Sequence, residues 1–227
     1  MKVKLISYSQ PAEEVEGIEN VQDLIAYAAR VSNPANQMNM ETSERLLNYL
    51  SKHKHWSPFE MASACIEIET TRDIARQIIR HRSFSYQEFS QRYANPHSME
   101  ERPFVIREAR LQDMKNRQNS IEIDMKNEYE SGIQEHWAMK QERVIEEAEK
   151  AYHWAIRNGI AKEQARVVLP EGNTISRLHM NGTIRSWIHY IDLRSDNGTQ
   201  KEHMEIAKAV AKAIAKIFPL AEKYTTN

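Results

Sequence analysis

The chain has 227 residues, enough for one large domain or two small ones with a sizeable core. Its 31 Lys and Arg residues balance 32 Asp and Glu residues, so any phosphate site must be a local cluster of positive charge on a neutral chain. A single cysteine, Cys65, excludes an internal disulfide, and no run of about eighteen apolar residues is long enough to span a membrane. We expect a soluble, cytoplasmic protein that is neither secreted nor membrane-spanning.

The first seventy residues predict two strands and two helices. Residues 1–9 alternate between apolar and polar side chains and predict an opening strand. Apolar residues at helical spacing over 21–28 predict a helix that Asn33-Pro34 stops, and Thr42 is predicted to cap a second helix. Alternation over 62–70 is typical of a half-buried strand.

A short helix and a polar loop are predicted next. The helix is expected to start at Thr70 or Thr71 and to run through Arg82. That span would place Gln77, Arg80 and His81 on one helical face, because residues three and four apart are neighbours there. The polar and aromatic stretch 83–93 is predicted to be part of an irregular loop.

The remainder of the chain is mostly helical in pattern. Residues 104–106 predict a short strand, and 171–182 look extended. Helices are predicted over 121–158, 161–169, 184–194 and 200–218. With no internal repeat and no linker, residues 1–227 are expected to form a single domain of the α+β class, with few strands and many helices.

The stretch around Arg76–Arg82 is the strongest candidate for a binding site. Basic residues in a last helical turn are also favoured by the helix dipole, which is the purely structural interpretation. The loop that follows, however, concentrates hydroxyls, amides, a carboxylate and Arg92 without glycine or proline. Arginine forks and serine hydroxyls suit a phosphate monoester, and aromatic rings suit a planar ligand.

Arg80-His81-Arg82, seven further residues and then Ser90 form the pattern RHR-x7-S. This pattern resembles the flavin-dependent thymidylate synthases (the ThyX family). Three other segments resemble the same family and occur in the same order along the chain. These segments are His53-x-His55-x-Ser57-Pro58-Phe59-Glu60, Ala165-Arg166-Val167-Val168-Leu169-Pro170 and Arg185-Ser186-x3-His189-x4-Arg194. The resemblance extends from about residue 21 to 218, and it implies a ThyX-like fold with an antiparallel sheet core and several helices.

The resemblance implies a role for individual side chains. Those implied to bind the substrate dUMP are Gln77, Arg80, Glu88, Ser90, Gln91, Arg92, Arg166 and Arg194. Those implied to bind FAD are Ser57, Arg80, His81, Arg82, Glu88, Arg185 and His189. Arg194 is the implied catalytic residue, lying against the uracil ring and favouring its N3-ionised form. A charged guanidinium there would stabilise developing negative charge on the pyrimidine carbonyls.

The resemblance also implies a reaction. It is the reductive methylation of dUMP to dTMP, with 5,10-methylenetetrahydrofolate as one-carbon donor, reduced FAD as hydride donor and NADPH as reductant. Relatives hold FAD at the subunit interfaces of a homotetramer, and this fits a sequence with only 6 glycines and no GxGxxG loop.

Several residues have competing interpretations. Ser90 is either a phosphate-binding hydroxyl or a nucleophile, although no paired base is evident. Cys65 is expected to be a buried structural thiol. The His53-x-His55 pair invites a metal, but no ordered third ligand follows, and no metal is predicted. Asn181 or Thr183 is a further candidate flavin contact.

Two other functions stay open. The first is a helical module whose arginines grip nucleic-acid phosphates, although Glu88 inside the patch and the neutral chain disfavour a nucleic-acid partner. The second is an inactive flavin-binding relative, because Met61 stands where many family members have histidine.

Overall fold

A four-stranded antiparallel sheet lies at the centre of the protein, and its strand order is β1-β2-β6-β3. The computed structural model describes residues 1–225. The strands are β1 (Lys2–Tyr8), β2 (Ser63–Thr71), β3 (Ser85–Glu88), β4 (Arg110–Gln112), β5 (Ser120–Glu122) and β6 (Ile175–Thr183). The helices are α1 (Val21–Ala29), α2 (Ser43–Lys52), α3 (Arg72–Ile78), α4 (Glu128–Arg157), α5 (Lys162–Ala165), α6 (Ile184–Arg194) and α7 (Lys201–Ala215). The predicted α+β class with an antiparallel sheet is confirmed.

One face of the sheet forms the main hydrophobic core. Ile66 of β2 pairs with Met180 of β6, Ile68 pairs with Leu178, and all four side chains are fully buried. They belong to one cluster with the apolar faces of α6 and α7, which include the fully buried Trp187. Because side chains alternate along a strand, the sheet buries one row of residues under the helices and leaves the next row outside.

The opposite face of the sheet is polar. His179 Nε2 lies 2.9 Å from Glu67 Oε2, and Arg177 Nη2 lies 2.8 Å from Glu69 Oε2. Cys65 lies in this outer row and is half-buried, so the thiol is less buried than expected. Burial, followed by the charge of Glu67, raises the Cys65 pKa and disfavours a nucleophilic thiolate.

A second, smaller core joins α4 to the segments on either side of it. It consists of Phe104, Ile145, Tyr152, Ala155, Ala165 and Leu169. Asn127 caps α4 by accepting hydrogen bonds from the N–H groups of Tyr129 and Glu130. No helix among residues 1–225 is long and apolar enough to cross a membrane.

The helix predicted to run through Arg82 ends at Ile78. The next residues turn sharply because the Tyr86 hydroxyl lies 3.0 Å from the Ile78 carbonyl oxygen and 2.8 Å from that of His81. The stretch predicted to be an irregular loop contains β3, which pairs with the far edge of β6. Of the three residues predicted to share a helical face, only Gln77 lies within the helix.

The structure also corrects other boundaries. Thr42 precedes α2 without capping it, and its hydroxyl instead accepts a hydrogen bond from Arg30 Nη2 at 2.8 Å. α4 begins at Glu128 rather than 121, because residues 120–122 pair with β4 in a hairpin. In the predicted strand 104–106, only Phe104 forms a bridge, to Thr174.

The last predicted segments agree more closely with the structure. The helix predicted over 161–169 is split into α5 and a 3-10 turn, Arg166–Val168. The helix predicted over 184–194 is confirmed as α6. That predicted over 200–218 is α7, which ends at Ala215 before a 3-10 segment, Pro219–Tyr224.

Candidate active site

Arg194 and His81 form a hydrogen-bonded pair where α6 ends beside the turn after α3. Arg194 Nε donates to His81 Nε2 at 2.9 Å, so this ring nitrogen is unprotonated. Burial, followed by the charges of Arg194 and Arg80, lowers the pKa of His81 to about 4. His81 is therefore neutral near pH 7 and orients the guanidinium without competing for its charge.

A buried hydrogen-bond network supports this pair from behind. His203 of α7 contacts two other helices. Its Nδ1 lies 3.3 Å from Gln77 Oε1, and its Nε2 lies 3.1 Å from the Tyr190 hydroxyl oxygen. Burial, more than nearby charge, lowers the pKa of His203 to about 3, so the ring is neutral. Since the amide oxygen only accepts, Nδ1 is the donor and Nε2 accepts from the tyrosine. The network fixes α3, α6 and α7 relative to one another.

Arg80 and Arg82 lie on the exposed outer side of the same turn. Within residues 1–225 neither guanidinium forms an ion pair or side-chain hydrogen bond. Arg76 nearby is instead paired with Glu171, its Nη2 lying 2.6 Å from Oε1. The turn therefore presents uncompensated positive charge next to Arg194, and it suits an anionic ligand.

A second group of predicted residues lies beyond the end of β3. Glu88 Oε1 accepts a hydrogen bond from Ser176 Oγ at 2.7 Å and lies 3.6 Å from Arg72 Nη1. Arg92 Nη2 lies 3.4 Å from Glu163 Oε2, and its guanidinium carbon lies 5.8 Å above the Tyr93 ring. These contacts hold Glu88 on the sheet edge, and they place Arg92 beside α5.

Glu163 connects Arg92 to Arg166. The Arg166 Nε donates to the backbone carbonyl of Glu163 at 3.3 Å, while Arg92 pairs with the carboxylate of the same residue. Arg166 also acts electrostatically on Arg72, where it lowers the pKa after the larger effect of burial. These arginines thus concentrate positive charge on one side of Glu88.

Gln91 carries an unsatisfied buried group. Its residue is only 2% exposed, and its amide Nε2 has no hydrogen-bond partner within residues 1–225. The neighbouring Ser90 Oγ accepts only a long bond, 3.4 Å, from the Arg92 N–H. A buried N–H without an acceptor costs free energy, and a ligand oxygen is one way to satisfy it.

A third group occupies the exposed face of α6 and the turn Ser57–Glu60. Arg185 is ion-paired with Glu60, and the His189 ring lies edge-on to Trp56 with centroids 4.9 Å apart. Burial and then Arg185 lower the pKa of His189. An exposed imidazole, an arginine and the exposed Ser57 hydroxyl together suit a phosphate-bearing aromatic ligand.

The predicted residues thus lie in three groups within one chain. Gln77, His81 and Arg194 belong to one network, Arg92 and Arg166 meet at Glu163, and Arg185 and His189 share the outer face of α6. Within residues 1–225 no hydrogen bond or ion pair links the Arg194–His81 pair to Glu163, the shared neighbour of Arg92 and Arg166.

Sequence reasoning missed the supporting residues. They are Arg72, Tyr86, Ser176, Tyr190 and His203. A signal existed for His203, because it stands three residues before Ile206 in the apolar register of α7. The others carry no such pattern, since their partners come from distant parts of the chain.

Comparisons with known proteins identify a family and several relatives. The family described as thymidylate synthase complementing protein matches residues 14–220. The chain is 48% identical, over 98% of both chains, to a "Probable flavin-dependent thymidylate synthase" of Paramecium bursaria Chlorella virus 1. It is 46% identical, over 96% of both, to a "Flavin-dependent thymidylate synthase" of Synechocystis sp..

A solved structure shares the fold. It is the UMP/dUMP methylase PolB from Streptomyces cacaoi bound with 5-Br dUMP, and the two superpose with a TM-score of 0.77 at 23% identity. The match covers 98% of this chain and 93% of the other.

Proposed function

The chain belongs to the thymidylate synthase complementing protein family, and we propose that it is a flavin-dependent thymidylate synthase. It is a methyltransferase that converts dUMP to dTMP with 5,10-methylenetetrahydrofolate as the one-carbon donor and reduced FAD as the hydride donor. NADPH is the proposed reductant, and residues 1–227 are proposed to act as one domain in the cytoplasm. The observation that carries the proposal is the Arg194–His81 pair beside the unpaired Arg80 and Arg82.

The phosphate of dUMP is proposed to bind at Ser90, Gln91, Arg92 and Arg166. The unsatisfied Nε2 of Gln91 supports this, because a phosphate oxygen would supply the acceptor that the protein lacks. Arg92 and Arg166 would compensate the phosphate charge with guanidinium donors. Their common neighbour Glu163 keeps both side chains in place until the anion arrives.

Arg194 is the proposed catalytic residue. Its Nε is taken by His81, and this leaves the other guanidinium N–H groups to hold the uracil edge and stabilise negative charge on its N3 and carbonyl oxygens. A neutral His81 accepts this bond without contributing a competing positive charge. Gln77, near the end of α3, and Arg80, on the turn that follows, would complete the pyrimidine and sugar contacts.

FAD, when bound, supplies the hydride that reduces the transferred carbon to a methyl group. The residues proposed to hold it are Ser57, Arg80, His81, Arg82, Glu88, Arg185 and His189. Their chemistry fits the cofactor, because the unpaired Arg80 and Arg82 suit its pyrophosphate, and the exposed His189 ring beside the half-buried Trp56 suits a flat ring system. These side chains would orient the cofactor.

The three groups of site residues favour a homotetramer with FAD at subunit interfaces. Arg194 is bonded to His81, whereas Arg92 and Arg166 meet at Glu163, and no hydrogen bond or ion pair among residues 1–225 links the two groups, so a second subunit is proposed to complete the site. The test mixes inactive Arg194→Ala and Arg92→Ala subunits after mild dissociation. Recovery of activity in the mixture supports a shared site, and no recovery from mixtures with demonstrated exchange argues against it.

The nucleic-acid-binding alternative is not favoured, since the family match and full-length relatives are named as synthases. The inactive-relative alternative is decided by one experiment. Purified protein loaded with FAD is supplied with [5-³H]dUMP, methylenetetrahydrofolate and NADPH, and tritium release and dTMP are measured. We expect both to appear and to depend on folate. Bound FAD without tritium release would reject the synthase proposal, and a protein that cannot retain FAD would reject the flavin proposal.

A further inference from the structure

Three metal-ligand side chains converge on the far side of α4, outside the proposed active site. They are His97, Glu149 and His153, and one ligand atom from each lies within 4.8 Å of the others. All three side chains are half-buried. We infer that they form a binding site for a divalent transition-metal ion of the zinc class.

The helix supplies two of the ligands in a suitable spacing. Glu149 and His153 are four residues apart on α4, so they project from the same helical face. His97 comes from the 3-10 turn Pro96–Ser98, where its N–H donates to Asn95 Oδ1 at 3.0 Å. The His97 and His153 rings lie 4.9 Å apart at their centroids. Two imidazoles and one carboxylate are a common zinc ligand set.

The hydrogen bond of one His97 ring nitrogen leaves the other nitrogen facing the cluster. His97 Nδ1 lies 2.9 Å from the backbone carbonyl oxygen of Glu101, which can only accept, so Nδ1 carries the hydrogen. When Nδ1 carries the only ring hydrogen, Nε2 presents its lone pair. Nε2 lies 3.4 Å from Glu149 Oε1. A carbonyl that holds the other ring nitrogen is the usual second partner of a metal-bound histidine.

The 3.4 Å distance between His97 Nε2 and Glu149 Oε1 is also compatible with a metal ion shared by the two groups. Tetrahedral zinc bonds of about 2.0–2.1 Å separate neighbouring ligand atoms by about 3.3–3.4 Å. The alternative is an imidazolium–carboxylate pair, in which a second proton on His97 takes the place of the metal. A zinc site predicts that one zinc ion binds per chain, whereas the imidazolium–carboxylate pair predicts none at this position.

The surroundings leave room for a fourth ligand and are not strongly positive. A cavity of about 350 Å³ adjoins the cluster, lined by Glu146, Glu149, Lys150, His153 and Arg157. Lys150 is already paired, its Nζ lying 2.7 Å from Glu147 Oε1, and the other lining residues include two carboxylates, Glu146 and Glu149, and one further cation, Arg157. Water from the cavity would fill the fourth position, as in open zinc sites.

The bound ion would tie the 97–104 segment to α4. The His97 ring also contacts Phe104, with centroids 6.1 Å apart, and Phe104 belongs to the second hydrophobic core. Because the ligands are separated by about fifty residues of chain, the ion would close a long loop and stabilise the folded state against unfolding.

The test is a zinc titration of untagged, full-length protein made metal-free with a chelator. Isothermal calorimetry with ZnCl₂ is run on the wild type, Glu149→Gln and His153→Gln. The matched controls are His136→Gln, an exposed histidine of the same helix, and His53→Gln, from the exposed His53-x-His55 pair. Far-UV circular dichroism and metal-free melting show that each variant is folded.

We expect one zinc ion per chain in the wild type and both controls, and at least about tenfold weaker binding in Glu149→Gln and His153→Gln. Zinc should also raise the Tm of the wild type and both controls, and raise it less in the two ligand variants. Absence of zinc binding in folded wild type would overturn the site in favour of the imidazolium pair. Unchanged binding in both ligand variants would overturn it as well.

Discussion

The Arg194–His81 pair allows a quantitative test of the proposed chemistry. Replacing Arg194 with alanine removes the guanidinium that would stabilise charge on the uracil. One hydrogen bond to a charged group is worth about 1.5–3 kcal/mol, which corresponds to a rate factor of about 10 to 150. Loss of an oxyanion-type donor in other enzymes costs about 10²–10³ in kcat. We therefore expect kcat to fall about 10²-fold in Arg194→Ala.

The fold should survive this change. Arg194 is half-buried at the end of α6, and among residues 1–225 its side chain hydrogen-bonds only to His81. Losing that bond from a charged group should cost up to about 1.5–3 kcal/mol in the free energy of unfolding, less than the total stability of a typical domain. The pKa of His81 should rise but stay below 6.5, because burial is the larger cause of its depression. Imidazole NMR titration measures this shift.

Tritium release from [5-³H]dUMP under single-turnover conditions measures the chemical step, and urea unfolding measures stability. Arg143→Ala is the matched control, because it removes an exposed arginine of α4 that takes no part in the site. Arg194→Lys keeps the charge but loses the planar fork, so it should restore little activity. A rate within about threefold of the wild type in folded Arg194→Ala would refute the assigned role.

Three further predictions follow from buried groups. Gln91→Leu removes an unsatisfied donor, so the free energy of unfolding should rise by up to about 1–3 kcal/mol while most of the Tm increase caused by dUMP is lost. The pKa values of His81 and His203 are lowered from 6.5 to about 4 and about 3, so stability should be fully present above pH 6.5 and fall as the pH drops from there toward 3. In His203→Gln the unfolding free energy, measured with urea, should depend less steeply on pH over this range. The difference should correspond to up to one fewer proton taken up on unfolding. Gly182→Ala would place a Cβ 2.6 Å from Phe84 Cε1 and should cost about 1–3 kcal/mol, part of which Phe84→Leu should recover.

The parts of the fold that were predicted from sequence are those with uninterrupted periodicity. The alternation over 62–70 and the helical spacing over 184–194 correspond to β2 and α6, because one face of each is buried against the same core. The local pattern and the tertiary burial agree in these elements. Propensity and packing therefore predict the same structure there.

The errors occur where distant partners decide the local structure. α3 stops at Ile78 because Tyr86, eight residues later, binds the carbonyls of the turn, and no local signal marks this end. β3 has a polar sequence, but pairing with β6 satisfies its backbone. Residues 120–122 were predicted to begin a helix, but they pair with β4 in a hairpin, and this pairing likewise satisfies their backbone.

The site was predicted residue by residue through a family pattern, and its supporting network was not. RHR-x7-S identifies Arg80, His81 and Ser90 in the sequence. It does not indicate that His203 and Tyr190 would hold His81 and Gln77 in place, since those contacts join α3, α6 and α7. The neutral state of His81 likewise depends on burial, which becomes known only from the fold.

Ion pairing explains how a neutral chain can present an anion site. Most arginines around the sheet are compensated, as Arg177 is by Glu69 and Arg76 is by Glu171. Arg80 and Arg82 have no carboxylate partner in the part of the chain that the structure describes, so their charge remains available on the turn. Net charge counts paired and unpaired arginines alike, whereas a ligand responds mainly to the unpaired ones at short range. The binding surface is therefore determined by the pairing pattern, and composition alone would not have located it.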